Sequence, residues 1–236
     1  MFWVFACCYG NMKSNFFTHS FSLLKDILRT YIVPSLCAYC KSFLSHADIL
    51  CVNCKSKIFP IVSKEIDVTQ SFSMKVFAIS DYKDPLKKLI LAKGWSDTLA
   101  SYQMGQLLWE FLPLEHLDYD VIVPIPLHWT RYAWRGFNQA EEIAKVIHKK
   151  KNVPLCHLLK RVKKTAYQST LLASLRAENL KEAFVIDERY AQAYKDKHIL
   201  LVDDLMTTGS TLRSAAKALL VLKPRKITVI VVCRVI

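Results

Sequence analysis

Glycine is scarce: the 236 residues contain five, where average usage of about 7% would supply roughly 17. That excludes collagen-like and glycine-linker architectures, and it gives weight to any glycine found where a motif needs a residue without Cβ. Gly136 and Gly209 are two such positions. Acidic residues are also in short supply, 20 against 33 Lys and Arg. The resulting net charge of +13 points to a polyanionic partner: nucleic acid, a phosphate-rich metabolite or an acidic membrane surface. No uninterrupted apolar run of about 20 residues occurs, so no transmembrane segment is expected. The apolar start, residues 1–9 (MFWVFACCY), lacks the basic flank and small-residue cleavage site of a secretory leader. Met12 follows closely, leaving residues 1–11 open to two readings: an over-long start, or a tip that contacts a membrane. A cytoplasmic chain is expected.

What is present can build a core. Hydrophobic residues make up 52% and charged residues 22%, which excludes a disordered chain, and the length suits one to two domains. Phe17, Phe21, Leu24, Leu28 and Tyr31 recur at three- and four-residue steps and predict an amphipathic helix ending before Pro34. Residues 64–73 (KEIDVTQSFS) read as a polar connector. The boundaries that follow are 1–33 for an N-terminal extension and helix, 34–63 for a cysteine-rich module and 74–236 for a larger domain. In the latter, strands are expected at 76–80, 121–125, 199–202 and 227–232, with helices at 99–111, 137–147 and 209–222. This alternation of buried strands and helices is that of an α/β fold.

Four of the eight cysteines form two knuckles, Cys37-x2-Cys40 and Cys51-x2-Cys54, separated by ten residues. Each pair can point both sulfurs at one centre, and two pairs supply the four thiolates of a closed tetrahedral zinc site. A structural Zn2+ is therefore expected, with no open position for catalysis. Cys7, Cys8, Cys156 and Cys233 lack such spacing and read as apolar fillers. His46, within the loop, reads as a surface residue.

Residues 199–211 read ILLVDDLMTTGST: a buried strand, two adjacent carboxylates, then a hydroxyl-rich loop that opens a helix. In an open α/β sheet, ligands bind beyond the carboxyl ends of strands, and backbone N–H groups at a helix start cradle phosphate. Asp203 and Asp204 suit vicinal sugar hydroxyls, directly or through Mg2+. Thr207, Thr208, Gly209, Ser210 and Thr211 form the phosphate loop. An ordinary helix cap with two solvated acids is the competing account.

This run resembles the phosphoribosyl pyrophosphate (PRPP) signature of type I phosphoribosyltransferases. Residues 123–140 (VPIPLHWTRYAWRGFNQA) and 168–184 (QSTLLASLRAENLKEAF) are similar to segments of the ComF competence protein family, which also places a four-cysteine zinc module before its phosphoribosyltransferase domain. The resemblance implies a Rossmann-like type I phosphoribosyltransferase domain behind a small zinc module. It also implies that Asp203 and Asp204 contact the ribose and that residues 207–211 hold the 5′-phosphate. Arg131 and Arg135, beyond the strand at 121–123, would lie near the pyrophosphate as forked donors. Gln168, Arg176 and Asn179 match family positions without a readable role.

Residues 125–182 carry a net charge of +8. Lys149, Lys150, Lys151, Lys160, Arg161, Lys163 and Lys164 crowd this stretch, with His148, His157 and Tyr167 nearby. Such a run is either a solvated face or a groove for single-stranded nucleic acid. Trp129, Tyr132 and Trp134 alternate with Arg131 and Arg135 in what reads as a loop.

Two functions stay open. In the first, implied by the family, the chain binds PRPP with Mg2+ and handles single-stranded DNA during uptake in natural transformation, working with inner-membrane DNA-uptake machinery. In the second it is an enzyme that moves ribose 5-phosphate from PRPP to a nucleobase or amine. No nucleobase-binding segment is recognisable in the sequence, which disfavours the second. PRPP acting as a regulatory ligand of a DNA binder would join the two.

Overall fold

The computed structural model describes residues 35–44, 46, 48–91, 98–162, 183–187, 189 and 192–235. The helix expected across 17–31, Cys7 and Cys8 lie outside these residues. The chain divides into two compact units, Met1–Ile58 and Phe59–Ile236.

In the first unit, the described part is a pair of turns. Leu36 bridges Phe43, closing the first around Cys37 and Cys40, and Lys41 takes a left-handed φ of 64° at its tip. The second is the short helix α1 (Val52–Lys55), with Cys51 at its N-cap and Cys54 buried inside it.

The second unit is built on a five-stranded sheet. Its strands are β1 (Ile61–Thr69), β2 (Phe72–Asp81), β3 (Val121–Pro124), β6 (His198–Met206) and β7 (Lys226–Arg234). The spatial order is β1-β2-β7-β6-β3. β1 and β2 form an antiparallel hairpin, and β2, β7, β6 and β3 run parallel. Parallel strands in the middle of a sheet are covered on both faces and so are apolar without alternation. β7 is buried from Ile227 through Cys233, and β6 from His198 through Val202.

The hairpin corrects one expectation. Residues 64–73 are not a connector but most of β1, its turn and the start of β2. Ile66 and Val68 are buried while Lys64, Glu65, Asp67 and Thr69 are exposed, the two-residue period of a strand covered on one face.

Helices cross between the parallel strands. α2 (Leu86–Leu91) and α3 (Thr98–Phe111) precede β3; α4 (Trp129–Arg135) and α5 (Gln139–Lys151) follow it. A separate two-stranded sheet pairs β4 (Leu159–Arg161) with β5 (Phe184–Ile186). α6 (Ser210–Leu219) leads from β6 to β7 through a 3-10 turn at Leu220–Leu222. Its Leu212, Ala215, Ala216 and Leu219 are buried at three- and four-residue steps, the stripe by which an amphipathic helix seats on a sheet.

α3 and α5 approach closely because Gly105 has no side chain. A Cβ there would lie 2.9 Å from both Cβ and Cγ2 of Val146 and 3.2 Å from the Ile143 carbonyl. Val146 is branched at the clashing atom and cannot swing aside, so the helices themselves must separate. Gly105→Ala is expected to lower stability by about 1–3 kcal/mol in denaturant unfolding, and Val146→Ala in the same chain is expected to recover part of the loss.

Candidate ligand cavity and metal centre

Parallel register fixes where the carboxylates sit. Pro124 pairs with Val202, and the Ile125 amide continues the ladder with a 2.9 Å bond to the Val202 carbonyl. β3 and β6 therefore end side by side, and β6 runs on to Met206, paired on its other edge with β7. Asp203 and Asp204 lie inside this extension, at the sixth and seventh of the nine strand positions rather than after the strand. Asp203 turns Oδ1 back to accept from the Asp204 amide at 2.9 Å.

A cavity of about 180 Å3 opens beyond these two strand ends. Asp203, Asp204, Thr207 and Thr211 line it from β6 and the loop and start of α6, and Arg131, Arg135, Arg161, Asn138 and Gln139 line it from α4, β4 and the start of α5. Of the expected loop residues, Thr207 and Thr211 thus reach the cavity directly. Thr208 instead lines a second cavity of about 480 Å3, together with Thr207, Lys64, Ile66, Met206, Arg234 and Val235. Gly209 and Ser210 line neither; their contribution is backbone shape.

Gly209 stands at the N-cap of α6 with φ 74°, a left-handed conformation. The positive φ is what calls for glycine, and a Cβ there would also sit a tight 3.0 Å from Ile66 Cδ1 on β1. Because no side chain of the cap residue binds the helix, the first-turn amides face the loop with their partial positive charge. Thr208 Oγ1 and Ser210 Oγ are 2.8 Å apart, and the Ser210 amide makes only a long 3.4 Å contact to Thr208 Oγ1.

The arginines arrive from two elements. Residues 128–135 are not a loop but end in the seven-residue helix α4, capped by the His128 ring over the Thr130 amide. Arg131 and Arg135, four residues apart, share the face toward the cavity. Trp129, Tyr132 and Trp134 are 71%, 50% and 55% exposed. Arg161 comes from β4. Burial chiefly, and then neighbouring Arg131, pushes its guanidinium below its ordinary value, while Asp203 acts the other way. Asn138 ties the start of α5 to the β3 loop: Nδ2 donates to the Ile125 carbonyl at 2.9 Å and Oδ1 accepts from the Ala140 amide at 3.2 Å.

Among the described residues, the basic stretch divides between separate roles. Lys149 and Lys150 are exposed at the end of α5. Lys151 is committed to the fold: its Nζ donates to the carbonyls of Leu114 at 3.1 Å, Glu115 at 2.9 Å and Leu117, and lies 4.5 Å from the Tyr119 ring centre. Lys160 pairs with buried Asp187 at 2.9 Å. Arg161 belongs to the cavity. Lys163, Lys164, Tyr167, Gln168, Arg176 and Asn179 lie outside the described residues. Cys156 and Cys233 are buried, as fillers should be.

In the first unit the four sulfurs of Cys37, Cys40, Cys51 and Cys54 all lie within 4.8 Å of one another. Cys40 and Cys51 Sγ are 3.7 Å apart, matching the edge of about 3.8 Å that a tetrahedron with Zn–S bonds of about 2.3 Å requires. The thiols are not alike. Hydrogen bonding by Ser42 is the main influence holding Cys40 down to about 6, whereas burial pushes Cys54 up to about 12. Four thiolates this close need a cation among them, and the donor set is compatible with a structural zinc. His46 is exposed and is not part of the cluster.

The fold and the cavity at its strand ends define a phosphoribosyltransferase-type α/β domain, and residues 133–236 match the family model described as "Phosphoribosyl transferase domain". Among curated proteins, the chain is 32% identical over 202 residues to "DNA utilization protein YhgH" of Salmonella typhimurium, covering 79% of this chain and 78% of that one. It is 38% identical over 101 residues to "Competence protein F" of Haemophilus influenzae, covering 42% of this chain and 44% of the relative. With "Competence protein ComFC" of Bacillus subtilis it shares 37% identity over 100 residues, covering 42% and 38%. The chain belongs to the ComF family of competence proteins. Among the described residues, no helix is long and apolar enough to cross a membrane.

Asp187 offers a pH test of the β4–β5 region next to the cavity. Hydrogen bonds from Arg189, chiefly, and from Lys160 hold its carboxyl below the usual carboxylate range. A depressed folded pKa contributes stability above the unfolded value of about 3.9 and loses it as pH falls through the folded value. Thermal unfolding followed from pH 7 downward is expected to show a smaller acid loss in Asp187→Asn than in the parent below about pH 4.

Proposed function

We propose that this chain binds PRPP with Mg2+ and handles single-stranded DNA during DNA uptake. The observation that supports the PRPP part is the meeting, in one cavity, of two carboxylates, two loop threonines and three arginines. Asp203 and Asp204 hold the ribose hydroxyls, directly or through Mg2+. The α6 loop, residues 207–211, takes the 5′-phosphate, and Arg131 and Arg135 take the pyrophosphate. The DNA part draws support from relatives named for competence and DNA utilization. It also draws on three exposed aromatic rings on a seven-residue helix with no buried residue. Rings of this kind stack on bases of any sequence while nearby cations hold the phosphates.

The second reading, a phosphoribosyltransferase, is favoured by the larger cavity that shares Thr207 with the donor cavity. An acceptor seated there would lie beside the same loop, and cationic side chains would stabilise the departing pyrophosphate.

Calorimetry with PRPP and Mg2+ is expected to show saturable binding that Asp203→Ala with Asp204→Ala, or Thr211→Arg, which fills the cavity Thr211 lines, abolishes while the domain stays folded. Unchanged affinity in both variants would overturn the donor assignment. On the same sample, an oligonucleotide is expected to bind single-strand-selectively with a log–log salt slope on the order of −3 to −4, for about four to six neutralised phosphates. Removing charge at Lys149 and Lys150 should flatten the slope, and Trp129→Ala should weaken binding by about 1–3 kcal/mol. Lys151→Met should instead lower stability. Salt-independent or absent oligonucleotide binding, with pyrophosphate released in the presence of a nucleobase, would favour the enzyme.

The cysteine cluster is assigned a structural Zn2+. Elemental analysis is expected to give one zinc per chain, and Cys37→Ser or Cys54→Ser should release it and unfold residues 37–58 first. A metal-free wild-type chain would refute the assignment.

A further inference from the structure

Gln139 is the first residue of α5 and is 2% exposed. Its side chain lines the donor cavity, yet its Nε2 is buried and finds no hydrogen-bond partner among the described residues. A buried amide NH2 without an acceptor is unfavourable, and native proteins rarely keep one unless something outside the chain satisfies it. Nothing in the folding of α5 requires it. The helix cap is already supplied by Asn138, whose Oδ1 binds the Ala140 amide. An apolar side chain of the same length would fill the space without the loss.

The surroundings say what the missing acceptor is. Arg131, Arg135 and Arg161 line the same cavity, and the N-terminus of the thirteen-residue α5 adds its positive end. The first-turn acids Glu141 and Glu142 both pair with Lys145, at 3.2 Å and 2.7 Å. An oxygen placed against Nε2 is therefore anionic. The loop of α6 lines the cavity too, through Thr207 and Thr211, and supplies a separate set of amides for another phosphate. Two helix starts on one cavity suit a sugar phosphate with an anionic group at each end.

We propose that Gln139 is a ligand-contacting residue that donates from Nε2 to the diphosphate of the bound sugar, and so selects a diphosphate-bearing pentose phosphate over its monophosphate. The assignment rests on the donor-site reading above and adds to it a residue and a selectivity. Arg131, Arg135 and Arg161 supply charge at that end; Gln139 supplies a directed neutral donor that a point charge cannot replace.

The test uses the full chain with Mg2+ and two probes, PRPP and ribose 5-phosphate, together with thermal unfolding in the absence of ligand. Gln139→Met keeps length and removes the donor. It is expected to weaken PRPP binding about 10- to 100-fold, the effect of a hydrogen bond to a charged group. Affinity for ribose 5-phosphate should stay within about threefold and the melting temperature should not fall, since an unsatisfied donor has been removed. Gln139→Glu, which sets a carboxylate against the diphosphate, should lose PRPP at least as severely. Unchanged PRPP affinity in Gln139→Met overturns the inference alone and leaves the donor site standing. A parallel loss of both ligands with a lowered melting temperature also overturns it, making Gln139 a residue that holds the fold. A wild-type chain that binds neither probe overturns the donor-site reading and the inference with it.

Discussion

The cavity depends on β6 being hydrogen-bonded along both edges. Its pairing with β3 ends at Val202, while its pairing with β7 continues to Met206. The last residues of β6 are thus held from one side and open on the other, toward the loop after β3. A sheet can present carboxylates at fixed spacing in this way without burying them, and Asp203 and Asp204 are both half-buried there. The same extension sets the start of α6, because Thr207, Thr208 and the left-handed Gly209 must turn the chain within three residues. Ile66 on β1 would stand 3.0 Å from a Cβ at Gly209, so the hairpin at the sheet edge packs directly against the loop at its centre.

The acids and the arginines of the cavity come from different elements. The acids stand on the sheet, whereas the arginines stand on α4 and β4, elements outside the central sheet. Under the proposed function, a rigid strand carries the groups for a neutral ribose and separate elements carry those for a diphosphate, dividing the work by the accuracy each requires. Hydroxyls need directed acceptors; a diphosphate tolerates a distributed cationic field provided some donors are fixed. Asn138 supplies part of that fixing, since it ties α5 to the Ile125 carbonyl at the end of β3.

How much of this was legible in the sequence follows from the range of each signal. The cysteine knuckles and the 199–211 run are local patterns whose chemistry is read within a dozen residues, and the structure gathers the four sulfurs and brings Asp203, Asp204, Thr207 and Thr211 to one cavity. β1 had a usable signal, the alternation of Ile66 and Val68, but its charged partners made the stretch look like a connector. α4 had none: it buries no residue, so there was no apolar stripe to show helical period. Lys151 and Arg161 were misleading for the opposite reason. Their roles come from contacts 34 to 37 residues away for Lys151 and from the placement of β4 for Arg161, while composition registered only their charge. Gln139 carries no charge; what marks it is burial of an Nε2 without a partner among the described residues, which exists only in three dimensions.

Under the proposed function, the seven residues of α4 serve both ligands. Arg131 and Arg135 line the cavity, and Trp129, Tyr132 and Trp134 are open to solvent. The helix buries no residue of its own; the His128 ring caps its start, and the chain past its end leads to Asn138, which is tied to the Ile125 carbonyl. A diphosphate drawn against the two arginines restrains the helix that carries the rings, and bases stacked on the rings restrain the helix that carries the arginines. Binding linkage makes any such coupling reciprocal: the factor by which PRPP changes affinity for DNA is the factor by which DNA changes affinity for PRPP. Under the proposed function, one seven-residue helix would carry contacts to both ligands, so linkage alone would couple them without any change in the sheet.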